Sequence, residues 1–168
     1  MNTGFQQDYP ASVDTLWQVF GQPDYPQRKY KAQGITAYAV REFTASVETI
    51  TLDLTRTLSI PADRIPALVR KFLHPEQTLH YISHWFRRGP EAADFDLEII
   101  PVGLPVHVTG KGRLQQTGVD SARLSIDFTV TVNVPLIRHK VESMVAAQIE
   151  KSFRDDHAFT LRYIAENA

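Results

Sequence analysis

From Ile50 onward the apolar residues fall on every second position. Ile50, Leu52, Leu54 and Leu58 alternate with Thr51, Asp53, Thr55 and Thr57, and Arg56 takes a place in the apolar row. A strand with one face in a core and the other in water has this period. The pattern returns at Phe95, Leu97 and Ile99 against Asp94, Asp96 and Glu98, and again from Leu124 to Val132 against Arg123, Ser125, Asp127, Thr129 and Thr131. Parallel strands are covered on both faces and read as unbroken apolar runs, so repeated alternation requires an antiparallel sheet.

Helical spacing brackets this strand-rich middle. Val13, Leu16, Trp17 and Phe20 share one face, with Ser12 placed to cap the helix and Gly21 and Pro23 to close it. A second short helical piece is expected over Asp24 to Lys31, ended by Gly34. Further strands are expected at Ile35 to Thr44, Gln77 to Arg88 and Val106 to Thr117. A short connecting helix is expected where Ile65, Leu68, Val69 and Phe72 recur between Pro66 and Pro75. Pro135 then opens a stretch without Gly or Pro, and a helix from Leu136 to Ala165 would run about 45 Å. Its row Ile137, Val141, Val145, Ile149 and Phe153 steps by four and can follow a twisted surface. Gly110 and Gly112, two apart on one strand face, permit a bend or close approach of another group. The fold class is α+β: a curved antiparallel sheet of about seven strands wrapped around a long C-terminal helix, with two short helices after the first strand.

At 168 residues, 43% hydrophobic and 22% charged, the chain suits a single domain spanning 1–168 that buries its core without staples. It has no cysteine, which removes disulfides, thiolate metal sites and thiol nucleophiles. Met1 to Pro10 is polar and acidic where a signal peptide needs a positive start and an apolar stretch, and no apolar run approaches the roughly 18 residues of a membrane span. A cytoplasmic location is therefore expected. A formal net charge of −1 argues against nucleic acid as a partner. Short basic runs, Arg28, Lys29 and Lys31 around Tyr30 and Arg87 with Arg88, read as solvated surface, with a phosphate or transient membrane contact as the alternative.

No reactive constellation stands out, so no catalytic residue, metal ligand or cofactor is assigned. His80 and His84 have a spacing that could chelate metal on a helix, but on a strand they lie about 13 Å apart, without a third ligand. No phosphate-binding loop or nucleophile elbow is present. The informative oddities are polar residues on apolar faces. Arg56 follows Leu52 and Leu54, and Arg87 shares the parity of Tyr81 and Trp85. A guanidinium cannot lose its proton, so inside the hollow it must meet an anion, an acidic partner or water; the alternative is a side chain reaching solvent at the rim. In the fourth strand the face of His80, Ile82, His84 and Phe86 competes with that of Tyr81 and Trp85, and the larger burial available to the aromatics places Tyr81 and Trp85 inward.

A family resemblance rests on Val134-Pro-Leu-Ile-Arg-His-Lys-Val-Glu-Ser-Met144, Gln148-Ile149 and Tyr163-Ile-Ala-Glu-Asn167 in the closing helix. Trp85, the Asp24-Tyr25 turn, and Pro66 with Leu68 and Lys71 add to it. With the order of elements, these make the chain resemble the START-like, helix-grip superfamily of lipid-transfer domains, pollen-allergen-like proteins and polyketide cyclases, and a bacterial family within it of uncharacterised function. The resemblance implies the fold and ligand binding, and carries over no catalytic residue. A bent sheet touching one helix leaves a gap that is either plugged by bulky side chains or open. Leu54, Leu97, Val108, Phe128 and Met144 are the expected apolar lining, with Arg56, Tyr81 and Trp85 as its polar or amphipathic members. The expectation is non-catalytic binding or transport of a hydrophobic small molecule, a lipid or an aromatic metabolite. A cyclase or aromatase using His84, Tyr81 and Arg56 is the enzyme alternative, and a co-chaperone-like interaction module is the third.

Overall fold

The computed structural model describes residues 1–167. Its one sheet is antiparallel throughout, in the order β1-β7-β6-β5-β4-β3-β2, so six consecutive strands form a meander and the first strand joins at the edge of the last. β1 is Asn2–Tyr9, β2 Tyr38–Ala45, β3 Thr49–Ser59, β4 Glu76–Arg87, β5 Ala92–Pro101, β6 Val106–Gly118 and β7 Ser121–Val132. The period-two rows hold in register: Leu54 lies opposite Tyr81, Tyr81 opposite Ile99, and Ile99 opposite Val108, all on the concave side.

Two short helices, α1 (Val13–Phe20) and α2 (Tyr25–Ala32), follow β1, and α3 (Arg138–Glu166) closes the fold. Ser12 Oγ accepts from the Thr15 backbone N–H at 3.1 Å, and at the other end the Gly21 N–H donates to the Trp17 carbonyl and the Gln22 N–H to the Val19 carbonyl, as the capping pattern requires. Val13, Leu16 and Trp17 are buried, and the Trp17 indole N–H donates to the Ser46 carbonyl at 3.0 Å. At 29 residues, α3 runs about 44 Å. It packs on β7 and β1 along one side and meets α2 near its end.

Three expectations need correction. The segment with Ile65 and Val69 is not a continuous helix but a 3₁₀ turn at Ala62–Arg64 followed by successive three-residue turns. Pro66 holds Ile65 extended, at φ −88° and ψ 115°, and the Val69 N–H reaches back only to the Pro66 carbonyl. Ile65 and Val69 are buried there, whereas Leu68 and Phe72 are exposed. The last helix starts at Arg138 rather than Leu136: Pro135 to Ile137 form a turn, and Leu136 projects into solvent. The second strand starts at Tyr38, three residues later than expected, because the chain leaves α2 through Gly34 at φ +71°.

The two inward glycines of β6 are sites of close approach. A Cβ on Gly112 would fall 2.1 Å from a Phe95 ring carbon, and one on Gly110 would fall 2.9 Å from Leu97 Cγ. Side chains of β5 therefore lean across β6 and draw the sheet into its curve.

Candidate functional site

The concave side is filled at one end and open at the other. The filled end is aromatic: Trp85 stacks on Phe95 at 4.5 Å between centroids and tilts against Phe20 at 5.4 Å. Phe5 packs edge-on against Phe128 at 5.7 Å and against Phe153 of α3 at 5.3 Å. Toward the opposite end the residues facing α3 become smaller, and a cavity of about 350 Å³ remains between β3 to β6 and the middle of the helix. Leu79, Ile99 and Val108 form its sheet wall, Met144 and Ile149 its helix wall, and Leu104 lies toward the β5–β6 connection. This size is at the lower end of small-molecule sites, which span roughly 300–1,000 Å³.

Polar groups gather where cavity and aromatic fill meet. Lys29 of α2 reaches inward, and its Nζ donates to Asp156 Oδ2 of α3 at 3.0 Å while lying 5.6 Å and 5.2 Å from the ring centres of Tyr25 and Tyr30. Asp156 also accepts from Gln33 Nε2 at 2.8 Å, and Tyr25 shares a 2.8 Å hydrogen bond with Thr160. Burial by itself works against the charge of Lys29, but the Asp156 carboxylate and the surrounding phenols outweigh it and hold the ammonium above its ordinary value. Burial pushes the phenols of Tyr25 and Tyr81 up to about 12, with the Lys29 charge opposing the rise at both. Lys29, Tyr81, Phe153 and Asp156 also border a smaller hollow of about 80 Å³ on the aromatic side.

Arg56 enters the cavity from β3. Its Nη2 donates to Ser152 Oγ at 3.4 Å, and its guanidinium carbon lies 5.7 Å from the centre of the Tyr30 ring. Gln77, one strand over, donates from Nε2 to the Val102 carbonyl at 2.7 Å and pins the β5–β6 connection at the cavity end, while its Oε1 is buried without a partner.

Among the residues singled out from the sequence, Arg56, Tyr81, Val108 and Met144 line this cavity. Leu54, Leu97 and Phe128 are inward and buried but do not border this cavity, and Trp85 belongs to the aromatic stack. The reason is axial position. Leu54, Leu97 and Phe128 each lie a step nearer the filled end than a lining residue on their own or the next strand, as Leu97 does relative to Ile99, and Trp85 lies two steps beyond Tyr81.

Tyr81 and Trp85 face inward and the histidines outward: His80 Nε2 pairs with Asp53 at 2.7 Å, and His84 Nδ1 shares a 3.2 Å hydrogen bond with Thr51 on the convex face. The enzyme alternative's His84 therefore lies across the sheet from Tyr81 and Arg56. Arg87 lies over Trp17 at 5.5 Å and pairs with Asp14, so it holds α1 to the sheet and lies outside the cavity. No group of three or more His, Cys, Asp or Glu side chains among the described residues is arranged to hold a metal ion.

Sequence reasoning missed Lys29, Asp156 and Gln77. Gln77 was open to discovery, since it shares the parity of Leu79 and Tyr81. Lys29 sits in a basic run that reads as solvated, yet it follows Tyr25 by four residues, and Tyr25 and Tyr30 are both buried.

Solved structures similar to this chain share its architecture at low identity. Truncated norcoclaurine synthase from Thalictrum flavum gives a TM-score of 0.56 at 17% identity, over 96% of this chain and 93% of that one. The Zhui aromatase/cyclase from Streptomyces sp. R1128 gives 0.57 at 12% identity, over 97% and 92%. A START superfamily protein from Mycobacterium smegmatis gives 0.52 at 13% identity, over 94% of each. These likenesses show that the chain shares the helix-grip fold of those proteins. Among the described residues no helix is long and apolar enough to cross a membrane. No curated protein matches the chain. The family model described as protein of unknown function (DUF2505) matches residues 4–164, nearly the whole length, and the chain belongs to that family.

Proposed function

We propose that this protein binds or carries a hydrophobic small molecule, a lipid or an aromatic metabolite, in the hollow between the sheet and α3, without transforming it. The observation that carries this reading is the cavity of about 350 Å³ with Leu79, Ile99, Val108, Met144 and Ile149 in its walls. Apolar surface held away from packing partners gives up contacts and burial that a guest would supply, at about 25 cal/mol per Å² covered. The buried polar groups offer no ready base at neutral pH. Lys29 stays an ammonium beside Asp156, and Tyr25 and Tyr81 keep their protons, so neither a free amine nor a phenolate stands ready.

The test is mass spectrometry of an organic extract of the purified protein, joined to thermal melts across lipids and aromatic metabolites. A co-purifying apolar compound, or a ligand-dependent rise in melting temperature, supports binding. An empty extract and an unmoved melt across the whole series would rule it out.

A further inference from the structure

The cavity carries an imbalance of charge that its own residues do not resolve. Lys29, Arg56, Arg64, Lys151 and Arg154 line it, against the single carboxylate of Asp156. Three of these cations are matched: Lys29 by Asp156 at 3.0 Å, Lys151 by Asp155 at 2.7 Å and Arg154 by Glu150 at 3.0 Å. Arg56 and Arg64 meet no carboxylate within 4.0 Å among the described residues, and Arg64 is exposed in the 3₁₀ turn. Arg56 is the unmatched cation of the interior, with one long hydrogen bond to Ser152 and the Tyr30 ring as company. Lys29 cannot take its place as an anion receptor, because Asp156 and two aromatic faces already occupy the ammonium.

We propose that the ligand is an amphiphilic carboxylate whose acid group pairs with Arg56 while its apolar body lies along Leu79, Ile99 and Met144; this deepens, and rests on, the reading of the cavity as a hydrophobic-ligand site. The chemistry follows from the side chain. A guanidinium stays charged at any working pH and offers parallel N–H donors that match the two oxygens of a carboxylate. Its surroundings set the direction of the guest. Leu79 is the residue directly opposite Arg56 across the β3–β4 ladder, and Leu58 is the next inward residue along β3, so apolar wall begins beside the charge. Ser152, one turn beyond Gln148 on α3, adds a hydroxyl within reach of the same group. One unmatched cation suits a singly charged head better than a phosphate monoester.

Calorimetric titration of the wild-type protein at neutral pH with decanoate and decyl phosphate below their micelle concentrations, and decanol below its solubility limit, is the test. Decanoate is expected to bind at least about 10-fold more tightly than decanol, the gain of a hydrogen-bonded charge. Arg56→Gln is expected to erase that ratio, and Arg113→Gln, outside the cavity and paired with Asp94, to leave it standing. Equal binding of acid and alcohol by the wild type, an acid preference that survives Arg56→Gln, or decyl phosphate surpassing decanoate would each overturn the proposal. The wild-type comparison needs no variant to fold. Failure of all three probes to bind, decanol included, would instead overturn the cavity reading on which the proposal stands.

Discussion

Asp156→Leu puts the interior ion pair to the test. The change strands the Lys29 ammonium, whose side chain is 12% exposed, between two tyrosine rings, and removes the acceptor of Gln33. Exposed pairs contribute about 0–1 kcal/mol, and breaking a fully buried one costs about 3–5 kcal/mol. Asp156 keeps 31% of its side chain open, and the aromatic faces retain part of the attraction for the cation, so the loss should be roughly 2–3 kcal/mol. For a chain of this length that lowers the melting temperature by roughly 4–12 °C. Lys29→Met alone leaves a carboxylate that still meets water and Gln33, and should cost less, about 1–2 kcal/mol. The double variant should be more stable than the sum of the two losses by about 1 kcal/mol or more, since an apolar pair replaces both charges. Urea unfolding of the four proteins followed by circular dichroism measures the cycle. Losses that add within about 0.5 kcal/mol would refute the coupling, and with it the statement that Lys29 is already occupied.

Three further outcomes follow from the same fold. Gly112→Ala should destabilise by about 3 kcal/mol or more in a denaturant melt, because the new methyl would meet Phe95, itself stacked on Trp85, and also the Ser125 carbonyl at 2.7 Å; a loss under about 1 kcal/mol would show that the ring can yield. Stability should be intact below pH 10 and fall between pH 10 and about 12, where an unfolded chain loses phenolic protons that Tyr25 and Tyr81 retain when folded. A tyrosinate absorbance titration in which every phenol ionises together near pH 10 in the folded protein would contradict this. Ser12→Ala should cost about 1 kcal/mol by removing the acceptor at the start of α1, and an unchanged melting temperature would show that the cap contributes nothing.

Strand alternation was the most legible part of the fold, because each β residue's face depends only on parity. The inward direction of Arg56 could be read that way, that of Tyr81 needed the larger burial of the aromatics to choose between two apolar faces, and the length of α3 followed from the absence of Gly and Pro after Pro135. Where the hollow lies could not be read. Parity assigns Leu97 and Ile99 to the same face, but only the seating of Phe153 and Met144 on α3 decides that one is packed and the other lines the cavity. Lys29 and Asp156 escaped notice for a related reason: each is unremarkable in its own helix, and they acquire meaning only when α2 and α3 are brought together. The segment from Ile65 to Phe72 had helical spacing, but two prolines left it too few bonded residues to become a regular helix.

Because α3 rests most closely on β7 and β1 along one flank and on α2 near its end, its middle faces β3 to β5 across the cavity, tied to β3 by the Arg56–Ser152 hydrogen bond. Widening the gap on that side would slide side chains apart and leave every rung of the sheet ladder in place. A guest could thus be admitted by a tilt of one rod about its fastened margin, and amide exchange along α3 should respond to occupancy while the strands stay protected.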